Sequence, residues 1–276
     1  MLYGKPLAFN HYVTMDRAAD LVGEFRRPAC AIVKFSNPAG AAVADRPGEA
    51  ARLAYAADPA GCTGGVAAFN REVDVEAARV LATETIECVV APDFTGEALD
   101  ILRAKKDVRL VRLPSLLLSA REVDMKTVSG GVLVEDRDNP TAPEGFKPVS
   151  KRVPTDIETA ALDFAWRVAK HTTTFSAVLA RGEATLGVAG GQSTRLDAVR
   201  LAVVKGQERH PVLTPALPTV LACDGALERP DLVEAAEAGV TAVIASGGTR
   251  ADADLIAAAD DLGMSLVFTG VRHYRL

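Results

Sequence analysis

Short apolar runs and longer amphipathic stretches alternate along the chain. "CAIVKF" (30–35), "IECVVAP" (86–92) and "VRLVRL" (108–113) are brief and rich in β-branched residues, which predicts strands. "MDRAADLVGEF" (15–25), "VDVEAARVLATE" (73–84) and "GEALDILRAKK" (96–106) repeat at helical spacing. The second opens with acidic residues and the third closes with cationic ones, as the helix dipole favours. "GGVLVED" (130–136) predicts a further strand, and a tight turn is expected at Asn37-Pro38-Ala39-Gly40.

"DRDNPTAPEGFKPVSKRVP" (136–154) then carries four prolines, many charges and no period. It marks a boundary between two β/α units, residues 1–140 and 141–276. "TDIETAALDFAWRVAKH" (155–171) follows as a helix whose Thr155 and Glu158 form a capping-box pattern. "SAVLA" and "ATLGVAG" flank the turn Arg181-Gly182-Glu183, and "TRLDAVRLAVVKGQ" is the next helix. "TVLACD", "DLVEAAEAG", "TAVIAS", "DADLIAAADDLG" and "SLVFTG" then alternate strand and helix to the end. The fold class is therefore α/β, with no close sequence repeat between the halves.

Composition narrows the partners. With 49% apolar residues the chain can bury a sizeable core, and a net charge of -5 without a basic run argues against nucleic acid. No apolar window is long enough to span a membrane, and the N-terminus lacks a signal-peptide layout. Cys30, Cys62, Cys88 and Cys223 are scattered without a C-x-x-C pair, as expected of reduced thiols in a cytoplasmic protein. His11, His171 and His210 have no metal-ligand spacing and read as structural.

Four places join a strand end to turn chemistry: Lys34 before its turn, "AGCTGG" (60–65), "GVAGGQSTR" (187–195) and the terminal "TGVRHYRL". Each also has a plain reading. Lys34 alone divides between a surface lysine snorkelling from a strand end and a lysine with a task. The Gly-Gly-Gln run divides between a structural turn and an anion cradle. "IASGGTRAD" (244–252) divides similarly, with Thr249 as a cap, while Arg272 and His273 read as solvated charge near a terminus.

Taken in order, "PACAIVKFSNPAGAAV", "LAYAADPAGCTGGVAAFNREVD", "ECVVAPDFTGEALDIL", "SGGVLVEDRD", "AGGQSTR", "GVTAVIASGGTRADADLIAAAD" and "RHYRL" resemble the AICAR formyltransferase domain of the bifunctional purine-biosynthesis enzyme. The resemblance runs from Tyr3 to Leu276. It implies two cytidine-deaminase-like α/β subdomains in three αβα layers, without zinc. It also implies an intertwined homodimer with active sites at the subunit interface. The implied reaction moves a formyl group from 10-formyltetrahydrofolate to a small amine, with no nucleic acid or membrane as partner.

The resemblance makes Lys34 catalytic, an oxyanion or amine-side electrostatic group. It places His11, Phe35, Gly64, Glu87, Phe175, Gln192, Arg195 and Arg272 on the acceptor, and Asn37, Pro38 and Asp224 on the folate. Several positions depart from the family. Its Lys-His pair reads Lys34-Phe35, its Ser-Asn pair Thr174-Phe175, and one Asn of an Asn-Asn pair is His11. "CTGG" has lost an aromatic at Thr63, and Ser-Asp-Ala-Phe-Phe-Pro-Phe has become "CDGALER" (223–229). The family's Arg-Tyr-Gly segment and cyclohydrolase domain are not found within these residues. A phenyl ring can neither take nor give a proton, so Phe35 and Phe175 imply a less polar acceptor, of a specialised pathway. A non-catalytic homologue that kept the fold, and an ordinary AICAR formyltransferase, remain as alternatives.

Overall fold

Alternate residues of each strand face opposite layers of helices. A computed structural model of the chain describes residues 1–114, 123–139, 141–142, 145–209 and 217–276; His210 lies outside them. α1 (Phe9–Gly23) and α6 (Asp156–Lys170) lie on one face of a large sheet. There Leu21, Val22, Phe164 and Trp166 pack on Ala31, Val33, Val178 and Ala180. On the other face α2 (Pro47–Ala57), the short α3 (Pro59–Cys62), α4 (Val75–Thr83) and α5 (Gly96–Arg103) accompany the first half of the chain. α7 (Arg195–Arg209), α8 (Arg229–Glu237) and α9 (Asp252–Asp261) cover the second half.

The strands of the first half are β1 (Ala29–Lys34), β2 (Asn37–Val43), β3 (Gly65–Phe69), β4 (Ile86–Ala91) and β5 (Arg109–Arg112). Those of the second are β9 (Ala177–Arg181), β10 (Ala184–Ala189), β11 (Thr219–Cys223), β12 (Val240–Ala245) and β13 (Ser265–Phe268). They form one sheet in the order β5-β4-β3-β1-β2-β10-β9-β11-β12-β13, with the two-residue β8 (Lys147–Pro148) on the outer edge of β13. Helix and strand succeed each other identically in the two halves, α3 aside, and each half is ordered second strand, first, third, fourth, fifth. The halves meet antiparallel through β2 and β10, with Ala42 opposite Ala184.

The repeat extends to packing. A Cβ on Gly40 of β2 would lie 2.0 Å from the Ala54 carbonyl of α2, and one on Gly187 of β10 would lie 2.1 Å from that of Ala202 in α7. Glycine at these two places lets a helix backbone settle on the sheet. Sequence similarity is not needed, because the duplication lies in topology and in where small residues stand.

The turn expected at residues 37–40 is a strand instead. Lys34 pairs with Asn37, so the chain reverses over Phe35 and Ser36 alone. The register slips between Ile32 and Val33, and Pro38 pairs with Val33 beside that bulge, where a missing N–H is tolerated. Phe35 sits at φ 55, a region costly for a bulky side chain. The Thr14 hydroxyl donates to its carbonyl at 3.3 Å and Arg17 donates to that of Ser36 at 2.9 Å.

Residues 130–136, expected as a strand, supply β7 (Gly131–Asp136), which pairs with β6 (Val123–Val128) in a separate two-stranded arm. Nearly every residue of the arm is exposed, including Met125, Leu133 and Val134. Among the described residues no helix is long and apolar enough to cross a membrane.

Candidate active site

Strand directions place the candidate residues along a single edge of the sheet. β1 ends there at Lys34, β2 begins at Asn37, and β3, β4 and β5 begin beside Gly64, Glu87 and Arg109. In the second half β10 ends near Gln192, β9 begins after Phe175, and β11 and β13 end before Asp224 and Arg272. For β11–β13 this is the carboxyl end, where open α/β sheets gather ligands.

Lys34 is half-buried, and among the described residues its ammonium has no hydrogen bond or carboxylate partner. Phe35, beside it, is 65% exposed at the hairpin tip. Across β3 stands a small polar cluster. The Ala8 N–H donates to His11 Nδ1 at 2.8 Å, which leaves the proton of a neutral ring on Nε2 to reach Glu87 Oε1 at 3.0 Å. Arg109 donates to the same oxygen at 3.1 Å. His11 is buried while Glu87 is 41% exposed on its side chain, so the carboxylate presents a face to solvent. Gly64 holds φ 74, and its N–H donates to the Thr85 carbonyl.

A second cluster follows β10 and β11. The Asp224 side chain is fully buried and accepts from Arg195, from the Thr174 hydroxyl, and from the Ser176 N–H at 3.2 Å. The Arg195 guanidinium also lies 4.4 Å over the Phe175 ring. Phe175 and Gln192 exchange backbone N–H···O bonds of 3.4 and 3.3 Å. Arg195, Asp224, Phe175 and Gln192 thus brace one another. Asn37 is part of the frame too, since its side-chain oxygen accepts the Thr173 N–H at 2.8 Å. Pro38 is buried within β2.

The anion cradle left open for the Gly-Gly-Gln run is partly closed, because the Gly191 and Gln192 N–H groups donate to Thr173 and Phe175. At "IASGGTRAD" the Asp252 carboxylate accepts from the Gly248 and Thr249 N–H groups, filling the place an anion would take.

The terminal segment departs from the expected solvated charge. Arg272 is exposed and donates to the Gly248 carbonyl at 3.1 Å, but His273 is buried. Its Nδ1 donates to Asp138 at 2.7 Å, its ring packs on Trp166, and Nε2 has no partner among the described residues. Arg109 and Asp138 carried no sequence signal, since each gains its role only through long-range pairing.

The two clusters lie far apart within one chain. Glu87 on β4 and Arg272 beyond β13 are separated by eight strand spacings, about 38 Å along the sheet. Lys34 and Asp224 are separated by four, about 19 Å. No small molecule touches all of these side chains in one copy.

Elsewhere, an open depression of about 590 Å³ lies on the opposite edge, lined by Asp74, Val75, Glu76, Thr95, Gly96 and Glu97. Asp74 and Thr95 there already cap α4 and α5, and none of the candidate residues reaches it. Among the described residues no group of three or more His, Cys, Asp or Glu side chains is placed to hold a metal. The four cysteines are buried, and burial pushes the Cys88 thiol up to about 12 and those of Cys30 and Cys223 well above the usual range.

The sequence profile of the AICARFT/IMPCHase bienzyme family matches residues 1–205. The chain belongs to that family. The bifunctional purine biosynthesis protein PurH of Sorangium cellulosum is 46% identical over 276 residues, covering 99% of this chain and 52% of that protein. PurH of Persephonella marina is 40% identical over 277 residues (100% and 53%), and PurH of Myxococcus xanthus 41% over 282 (100% and 54%). The chain spans about half the length of these curated relatives.

Proposed function

We propose that the chain transfers a formyl group from 10-formyltetrahydrofolate to the amine of an imidazole ribonucleotide, AICAR. The observation that carries this reading is Lys34, a half-buried ammonium with no partner among the described residues, at the sheet edge that gathers the other candidate residues. An uncompensated cation in such a place suits charge that appears only during reaction. The acceptor amine attacks the formyl carbon and the carbonyl electrons move to oxygen, where Lys34 stabilises the oxyanion. The bond from that carbon to N10 then breaks. The proton lost by the amine balances the one gained by N10, giving tetrahydrofolate and the formylated amine. Arg272 clamps the acceptor's anionic group and Glu87 its polar edge. Asp224, Asn37 and Pro38 act on the folate side by fixing the loops that shape it, and Arg195, Gln192 and Phe175 are braced with them.

The wide separation of Glu87 from Arg272 supports a homodimer in which one acceptor meets residues of two copies. The exposed arm β6–β7 and the exposed Phe9, Tyr12 and Phe35 supply apolar surface for such an interface. On this reading the halves are the two cytidine-deaminase-like subdomains of the family, working in the cytoplasm.

A second reading, a less polar amine as acceptor, is favoured by Phe35 and Phe175. Incubation with 10-formyltetrahydrofolate and either AICAR or a panel of amines, following tetrahydrofolate release, tests both. Turnover with AICAR supports the first reading, and turnover with another amine alone the second. No turnover with any acceptor, together with no folate binding in calorimetry, leaves a non-catalytic homologue. Phe35→His separates the two readings further: it raises AICAR turnover under the first and changes little under the second.

A further inference from the structure

We propose that His273 is the positioning residue for Arg272, and that Asp138 holds it there; this rests on the formyl-transfer reading, which gives Arg272 the acceptor's anion. Among the described residues the Arg272 side chain hydrogen-bonds only the Gly248 carbonyl, and the residue is exposed. What fixes its Cα is the next residue. The His273 N–H donates to the Asp224 carbonyl at 2.8 Å, and its own carbonyl accepts from the Thr174 hydroxyl at 3.2 Å. Its ring centroid is 4.8 Å from that of Trp166, and Nδ1 donates to Asp138 at 2.7 Å.

Asp138 is a firm anchor because its neighbours are tied down. Arg137 pairs with Asp20 at 2.7 Å in a nearly buried site, and the Asn139 carbonyl accepts from Lys170 at 2.9 Å. Those partners belong to α1 and α6, the helices of the shared face. The segment 137–139 is also where the exposed arm rejoins the body, directly after β7. A carboxylate at the root of the arm therefore sets the imidazole, and the imidazole sets the backbone from which Arg272 reaches out.

The test compares Asp138→Ala, Asp138→Asn, Arg272→Ala and the Asp138→Ala/Arg272→Ala double variant in the full chain, with AICAR as acceptor. Asp138 is partly exposed, so its loss leaves the fold intact. Asp138→Ala is expected to raise the KM for AICAR by about five- to tenfold, the worth of one hydrogen bond. The kcat and the donor KM stay within about twofold. Asp138→Asn, which keeps an acceptor oxygen, restores most of the loss. In the Arg272→Ala background Asp138→Ala adds nothing.

An unmoved acceptor KM, or the same factor in both backgrounds, overturns the proposal while leaving formyl transfer standing. A wild-type chain inert toward every acceptor instead counts against formyl transfer. In that event backbone hydrogen exchange decides the tether. Exchange at the His273 N–H, which donates to the Asp224 carbonyl, at least about tenfold faster in Asp138→Ala supports it, and unchanged exchange overturns it.

Discussion

Replacing Glu24 with Gln removes the centre of a buried charge network where the two halves meet. Glu24 caps the end of α1 and accepts from Lys170 at 2.8 Å, His171 at 3.0 Å and Arg167 at 3.3 Å, all near the end of α6. Arg275 of the terminal segment donates to the other nitrogen of His171 at 3.0 Å. Burial alone would raise the Glu24 pKa, but the His171 hydrogen bond and the charges of His171 and Lys170 outweigh it and hold the carboxyl at about 2, against an ordinary 4.5. That difference contributes about 3 kcal/mol at neutral pH. Because the folded value is the lower one, the contribution is full above pH 4.5 and drains away toward pH 2. Burial also holds His171 below its usual 6.5, despite Glu24 pulling the other way, so acid favours the unfolded chain there too. Guanidinium unfolding at several pH values reads both. Glu24→Gln is expected to lose about 3 kcal/mol at pH 7, the gap narrowing to about 1 kcal/mol near pH 3. A loss under about 1 kcal/mol at neutral pH, or a gap that ignores pH, would refute this electrostatic reasoning.

Asp224→Asn leaves the Arg195 guanidinium buried without its counter-charge and is expected to destabilise the chain by about 3–5 kcal/mol in the same unfolding assay. Gly187→Ala and Gly40→Ala each force a helix carbonyl off the sheet and are expected to lower stability by about 2 kcal/mol or more, seen as an earlier denaturant midpoint. A thiol-reactive dye is expected to leave Cys30, Cys62, Cys88 and Cys223 unlabelled until the chain unfolds; prompt labelling of the native chain would contradict their burial.

Much of the fold was legible because local and tertiary signals agree. The capping box at Thr155 is formed as read, with the Thr155 N–H donating to Glu158 at 2.9 Å. The alternation from α4 to β5 and from β11 to β13 follows the runs read as helices and strands, whereas α2 and β3 were not read. The start of α1 was missed because Ala8 offers no capping side chain, and an imidazole one turn later accepts its N–H instead. β2 was hidden by Asn-Pro-Ala-Gly, turn residues in isolation that a bulge makes tolerable in a strand. Of the site, Lys34 and Arg272 could be singled out from strand ends and turn residues. Their distance apart could not, because it depends on two half-sheets joining edge to edge through β2 and β10. Nor could the burial of His273, which follows from Trp166 and Asp138, more than a hundred residues away in sequence.

The rate of tetrahydrofolate release by Lys34→Met, measured beside the wild type with AICAR and 10-formyltetrahydrofolate, tests the central claim most directly. If Lys34 stabilises the oxyanion as proposed, the substitution is expected to cut kcat by about 10²- to 10³-fold while the unfolding midpoint stays where it was. A Lys34→Met chain that transfers formyl groups at the wild-type rate would contradict the account.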